Sequence, residues 1–264
     1  MSTSTLTLTG KQWKSFCKTL GGLARQCNDA DINQGIIRQR SNDSSAIFEI
    51  DLRSVVGGLT LTITNFKEKL KTLKMFKSGV TITPGQNEVV FSDGVSSFSI
   101  LNPDRNYLDN KFMSQQELES LFPGVFQETS LLIRNRIEKK MIKRIRTALS
   151  KLHRNTYKVV FVKHSASLVV ERETGGSNQP GEVVTIIRDI PLFEPTTGYA
   201  QLPSLPFNSF DCDGDLDWEL YRVDKRLFSK HYGRIGGVNA TTYTGGELKN
   251  DPPVLQKQAK GKRG

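Results

Sequence analysis

Cysteine is scarce in this chain of 264 residues. The three cysteines, Cys17, Cys27 and Cys212, form an odd, scattered set without C-x-x-C spacing. Because disulfide frameworks and structural zinc sites use paired, regularly spaced cysteines, neither is predicted. We expect reduced thiols in a reducing, intracellular compartment.

Long apolar runs are also missing. No stretch reaches the roughly 20 apolar residues that a membrane-spanning helix needs. The first nine residues lack the basic-then-apolar design of a secretion signal. With a mean hydropathy of -0.40, the chain is expected to be a water-soluble protein with no membrane partner.

Motifs for catalysis or metal binding are absent too. His153, His164 and His231 have no metal-like mutual spacing, and neither a G-x-S-x-G motif nor a Walker motif occurs. The acidic residues within 211–217 resemble the start of a calcium loop. Arg222, however, stands where such a loop requires glutamate, so a solvated acidic turn is favoured. No enzymatic activity, cofactor or metal is therefore predicted.

Acidic residues are outnumbered by basic ones. The chain has 37 lysines and arginines against 27 aspartates and glutamates, a net charge of +10. A surplus of this size favours an acidic partner, and phosphate is the commonest one. Part of the surplus lies in the C-terminal segment 248–264, which we expect to be disordered.

Four predicted helices combine an apolar stripe with a basic face. They span about 11–25, 65–76, 138–153 and 224–232, two in each half of the chain. A basic face on one helix is usually only solvated, but four of them indicate a shared polyanion-binding surface. The candidate DNA-binding residues are Lys11, Lys14, Lys18, Lys67, Lys71, Lys74, Lys139, Lys140, Lys143, Arg144, Arg146, Lys151, Lys225, Arg226 and Lys230.

Strand-like segments surround these helices and give the two halves a similar order. Alternating apolar residues, with turns such as Pro84-Gly85 and Asp93-Gly94, predict several antiparallel strands. We expect domains at 1–103 and 129–247, joined by a connector at 104–128. Residues 191–217 are rich in proline and are expected to be irregular.

The order β-α-βββ-α-βββ, present twice, resembles that of the DNA sliding clamps. The trimeric type is most similar, namely proliferating cell nuclear antigen and the clamps of T4-like phages. A local similarity runs from Gln39 through the Asp43-Ser44-Ser45 turn to Ile47 and continues over Asp51-Leu52-Arg53. The resemblance implies an α+β fold of two clamp-like domains, with helices on one face of antiparallel sheets, that forms a ring.

What the resemblance implies for function is a DNA polymerase processivity factor in replication. Three copies would encircle double-stranded DNA without reading its sequence, and an ATP-dependent clamp loader would place the ring there. If the chain is a phage protein, this occurs in the host cytoplasm or nucleoid. Partner peptides would dock in an apolar groove formed by Ala46, Ile47, Leu118, Leu121, Phe122, Pro123 and Tyr243.

Two other functions remain open from the residues alone. The first is a monomeric or dimeric nucleic-acid-binding accessory protein that uses the same basic helices as an open patch. The second is a metal-dependent nuclease in which Asp211, Asp213 and Asp215 converge in space. The mass in solution separates the ring from the open patch.

Overall fold

The computed structural model describes residues 5–77, 79–85, 87–103, 108, 112–171, 183–211 and 214–250. The chain divides into two compact units. Unit 1 comprises Met1–Leu121, Ser209–Asp211 and Tyr232–Thr242; unit 2 comprises Phe122–Asn208, Cys212–His231 and Tyr243–Gly264. In the described part of the chain, no helix is long and apolar enough to cross a membrane.

Among its described residues, unit 1 contributes strands to two antiparallel sheets and contains four helices. Its elements are β1 (Leu6–Leu8), α1 (Gly10–Leu23), β2 (Ala30–Asn33), β3 (Ile36–Arg40), β4 (Ala46–Asp51), α2 (Arg53–Val56), β5 (Leu61–Ile63), α3 (Phe66–Leu73), β6 (Val80–Pro84), β7 (Glu88–Ser92), β8 (Ser97–Leu101) and α4 (Gln115–Leu121). Strands β1, β6, β7 and β8 are neighbours in that order in one sheet, and β5, β2, β3 and β4 are neighbours in that order in the other. The order along the chain agrees with the expectation, apart from the added strand β2 and the α2 turn.

Helix α1 follows directly from its sequence. Thr9 and Gln12 form a capping box that satisfies backbone N–H groups at the start of the helix. The apolar stripe that includes Trp13, Phe16 and Leu20 is buried, as the periodicity predicted. The indole N–H of Trp13 donates to the carbonyl of Phe76 at 3.1 Å, so the stripe packs beside the end of α3.

Helix α3 begins without a side-chain cap. Asn65 is the residue before the helix, but its φ is 47° and its side chain makes no cap hydrogen bond. Asparagine tolerates this left-handed conformation better than most residues. Its backbone N–H donates to the Asp29 carboxylate at 2.9 Å, which anchors the start of the helix. The predicted stripe of Phe66, Leu70 and Leu73 is buried.

The described residues of unit 2 form strands, one helix of 13 residues and shorter helical segments. Its elements are β9 (Leu131–Ile137), α5 (Lys139–Lys151), β10 (Thr156–Glu171), β11 (Val183–Pro203), α6 (Leu205–Ser209), β12 (Leu216–Val223), β13 (Arg226–Ile235) and β14 (Val238–Lys249). Strands β14, β13, β12 and β9 are neighbours in that order, while β10 and β11 form a long antiparallel ribbon. The β13–β14 tip, within Tyr232–Thr242, belongs to unit 1.

The helix predicted at 224–232 is wrong, because these residues form the β12–β13 turn and strand β13. Buried and more exposed residues alternate along β13, but two of the inward residues, Ser229 and His231, are polar. Ser229 accepts the indole N–H of Trp218 at 2.8 Å. Because polar residues occupy the buried face, the period of two was hidden in the sequence.

The expectation of irregular structure at 191–217 is also wrong. Strand β11 continues through Pro203, and α6 and the start of β12 occupy much of the remainder. Irregularities in the β10–β11 register lie between Lys163 and Ser165 and between Ala166 and Val169. Strand β14 likewise extends to Lys249, so 248 and 249 belong to the sheet rather than to a tail.

Candidate nucleic-acid interface

Two basic ridges lie on the helices of unit 1. Lys11, Lys14 and Lys18 are exposed on α1, opposite its buried stripe. The exposed lysines associated with α3 are Lys67, Lys71 and, at the end of the helix, Lys74. A side-chain carbon at Gly21 would lie 3.7 Å from the Lys74 ammonium, so this lysine reaches α1. The two helices therefore supply neighbouring positive charge in unit 1.

Helix α5 has the highest net positive charge of any helix in the described chain. Its sequence KKMIKRIRTALSK contains six basic residues and no acidic one. Ile142, Ile145, Ala148 and Leu149 are buried on one side. The exposed basic residues are Lys139, Lys140, Lys143, Arg144 and Lys151.

Arg146 differs from its neighbours on α5. It is partly buried, and its guanidinium Nε donates to the Phe207 carbonyl in α6. This bond fixes the long helix to the short one within unit 2. This contact gives Arg146 a structural role, and DNA binding by Arg146 stays a prediction.

The last three candidates do not lie on a helix. Lys225 is in the turn before β13, while Arg226 and Lys230 are strand residues. The Lys230 ammonium lies 5.8 Å from the centre of the Phe126 ring, within reach of a cation–π contact. The second helix of this unit, α6, has the sequence LPFNS and no charge. The described chain thus has three basic helices, α1, α3 and α5, instead of four.

Basic side chains on strand β9 have acidic partners, whereas several on helix α5 do not. On β9, Arg134 pairs with Glu128 at 2.7 Å and Glu219 at 3.0 Å, and Arg136 pairs with Asp215 at 3.0 Å. On α5, Lys140 pairs with Glu138 at 2.8 Å. Lys143, Arg144 and Lys151 form no ion pair with any described residue. These three exposed charges are available to an external anion.

One lysine on α1 also has an acidic neighbour. The Lys18 ammonium lies 3.6 Å from the Asp211 carboxylate. That carboxylate accepts the backbone N–H groups of Gly236 and Gly237 at 3.1 and 2.9 Å. Asp211 therefore joins the β13–β14 tip to the basic helix.

Two of the acidic residues proposed for a nuclease, Asp211 and Asp215, accept hydrogen bonds from the protein itself. Asp211 makes the contacts just given, and Asp215 accepts the Lys139 backbone N–H at 3.1 Å. Within the described residues, no cluster of histidine, cysteine or acidic groups could hold a metal ion. Asp213 lies outside the described residues. The described residues therefore give no support to a nuclease site.

The predicted peptide groove divides between the two units. In unit 1, Ala46 and Ile47 are buried in β4, and Leu118 is buried while Leu121 is 39% exposed. Helix α4 begins as expected: the Glu117 N–H donates to the Ser114 hydroxyl at 3.1 Å, and the Ser114 N–H donates back to the Glu117 carboxylate at 2.6 Å. This reciprocal pair is the predicted capping box.

In unit 2, the predicted residues Phe122 and Tyr243 are stacked with ring centres 5.7 Å apart, and Pro123 is exposed. They belong to an aromatic cluster with members that the sequence analysis did not name: Phe126, Tyr221 and Phe228. The spacing of Phe122 and Phe126 in FPGVF was the available signal. The cluster supplies an apolar surface in unit 2, and its use by partner peptides stays a prediction.

Comparisons with solved structures identify the fold. The proliferating cellular nuclear antigen of Entamoeba histolytica is similar over 94% of this chain and 100% of its own, with a TM-score of 0.59 and 11% identity. The PCNA2-PCNA3 complex from Sulfolobus tokodaii is similar over 92% and 99%, with a TM-score of 0.54 and 11% identity. The chain has the sliding-clamp fold.

The similarity to clamps lies in the backbone rather than in the sequence. No protein-family model matches the chain, and a search of curated proteins finds no match either. At 11% identity the comparison shows the fold alone. The function must therefore be argued from the charges and surfaces that this chain presents on the clamp scaffold.

Proposed function

We propose that the chain is a DNA sliding clamp that acts as a polymerase processivity factor. Three copies form a ring around duplex DNA, and helices α1, α3 and α5 face the phosphates. The observation that carries the proposal is the presence of unpaired basic side chains on α5 in a chain with the clamp fold. The polymerase and an ATP-dependent loader are the partners that this function requires.

The chemistry of the basic helices suits sliding. Lysine and arginine attract phosphates without reading bases, and each such contact is weak, exchangeable and screened by salt. A ring does not need tight binding, because it stays on DNA by enclosing it. The basic helices keep the DNA close while permitting movement along it, and no enzymatic activity is involved.

The first test is the mass of the full-length protein in solution. One chain weighs 29.6 kDa, so a trimer weighs about 90 kDa. We expect light scattering after size exclusion to give the trimer mass over a wide range of protein concentration. A monomer or dimer that binds short DNA with a concentration-independent mass would favour the open-patch accessory protein instead.

A second test separates enclosure from surface binding. A linear duplex carries biotin at both ends, which streptavidin can block. In one experiment protein is added before streptavidin, and in the other it is added after. A ring that threads over free ends remains on the DNA after salt rises from about 50 to about 200 mM, but only when protein is added first. An open patch gives the same retention in both orders, which would contradict the proposal.

A further inference from the structure

A cavity of about 710 Å³ lies in unit 2 between α5 and the start of β11. Its walls include the aliphatic side chains of Leu152, Val184 and Ile186, and its rim carries Lys143, Arg144 and Lys151. Cavities of this volume are in the range used for small ligands and peptide segments. Aliphatic walls together with three cations favour a ligand that has both apolar and acidic groups.

Both walls of the cavity are held by regular structure. One wall is the α5 helix, whose Ile142 and Ile145 are fully buried in unit 2. The other is the β11 strand, in which Val184 pairs with Val170 of β10. Val184 is nevertheless 38% exposed, so an apolar surface remains open to a ligand. A preformed site costs less ordering free energy on binding.

Duplex DNA matches only half of this site. Phosphates can reach the three cations, but the charged and hydrated sugar-phosphate surface offers little apolar area to cover the aliphatic walls, of which Val184 is the most exposed part. These walls would stay hydrated against DNA, without the gain in free energy that comes from removing apolar surface from water. The cavity therefore fits a different class of partner better.

The spacing of the cations argues for an extended ligand. Lys143 and Lys151 are eight positions apart on α5, so their Cα atoms are separated by about 12 Å along the helix axis. A single carboxylate or phosphate headgroup cannot contact both ends of this row. Acidic residues along a peptide can, since about four extended residues cover the same distance.

We propose that this cavity binds an acidic, apolar-rich peptide segment of a partner protein. Leucine or phenylalanine side chains of the peptide cover the exposed surface of Val184, while glutamates or aspartates pair with Lys143, Arg144 and Lys151. Because α5 also supplies charges to the proposed DNA interface, the peptide and DNA compete for the same cations. Peptide binding itself does not depend on whether the chain encircles DNA.

The test uses the full-length chain and a fluorescein-labelled peptide of about eight residues that alternates glutamate and leucine. One control peptide replaces every leucine with serine, and another replaces every glutamate with glutamine. Fluorescence anisotropy should show that each control binds at least roughly tenfold more weakly. Equal binding of the serine peptide would overturn the proposal, because charge alone would then account for the affinity.

The matched protein variant is Val184→Gln, which keeps every cation but places a polar group on the apolar wall. We expect a roughly tenfold loss of peptide affinity and unchanged retention on the duplex whose ends are blocked after protein is added. Val184→Thr, which keeps the β-branched shape, should show a smaller loss, and a thermal melt verifies folding of both variants. Unchanged peptide affinity in folded Val184→Gln would overturn the assignment.

Two further outcomes are informative. If decanoate binds with the same dependence on Val184 and the peptide does not, the site takes a lipid-like anion and the peptide proposal is wrong. If the peptide binds as expected to a chain that does not retain DNA, the cavity assignment stands and the proposed clamp function fails. The two proposals can therefore fail separately.

Discussion

The basic face of α5 leads to a prediction about salt. We consider the triple change Lys143→Gln, Arg144→Gln and Lys151→Gln, which removes three exposed charges without an acidic partner in the described chain. Each side chain keeps a polar end, and the buried stripe of the helix is untouched. The fold should therefore persist while attraction to phosphate falls.

The magnitude follows from counterion release. Each phosphate contact contributes about 0.9 to the slope of log affinity against log salt concentration. If the three residues of one subunit contact phosphates, the variant should have a slope smaller in magnitude by about 2.7. Both proteins lose DNA affinity when salt rises from about 50 to about 200 mM. The loss should be about 40-fold smaller for the variant than for the unchanged protein.

The assay is anisotropy of a labelled duplex at several salt concentrations. The matched control changes Arg134 and Arg136 of β9 to glutamine, which also removes positive charge, but from groups paired with Glu128, Glu219 and Asp215. We expect its slope to stay close to that of the unchanged protein. If the α5 variant and the β9 control shift the slope equally per charge, the interface is not on α5, and only net charge matters.

Two other predictions concern stability. Burial lowers the pKa of His231 from 6.5 to about 3, so between these values the unfolded chain binds the extra proton and the free energy of unfolding falls as pH falls. The free energy of unfolding should fall by about 2 kcal/mol on going down to about pH 5, and His231→Phe should remove this pH dependence. The measurement is urea denaturation at several pH values. A pH dependence that is the same in His231→Phe would contradict the account. Gly236 has φ +66° and any side-chain carbon there would overlap Thr19, so Gly236→Ala should cost roughly 3 kcal/mol in the same assay. Gly237→Ala, at φ +87° with Ser15 3.8 Å away, should cost only about 1 kcal/mol, and equal losses would refute the overlap argument.

Local pattern was sufficient where one face of an element is apolar and the other charged. The helices α1, α3 and α5 appear close to their predicted bounds, because Trp13, Phe66 and Ile145 belong to stripes with helical period. The capping box of Ser114 and Glu117 was likewise readable, since both partners lie within one turn. These features depend on residues close together in the chain.

Pattern failed where remote residues determine what is buried. Strand β13 was predicted as a helix because Asp224 could cap it and Leu227 and Phe228 could share an inward face. Trp218, eleven positions before Ser229, donates the hydrogen bond that makes this serine acceptable inside. His231 is fully buried and stacks on Trp218 with ring centres 6.2 Å apart. No local period reveals such pairs.

The sequence by itself determined that the protein is basic, mixed in secondary structure and equipped with amphipathic helices that expose lysine and arginine. Only the tertiary structure decided which charges are available. Arg146 is held by the Phe207 carbonyl and Arg134 by two glutamates, whereas Lys143 and Lys151 have no such partner among the described residues. The reason is physical: helical and strand periods depend on neighbours in the chain, but pairing and burial depend on which distant groups the fold brings within a few ångströms.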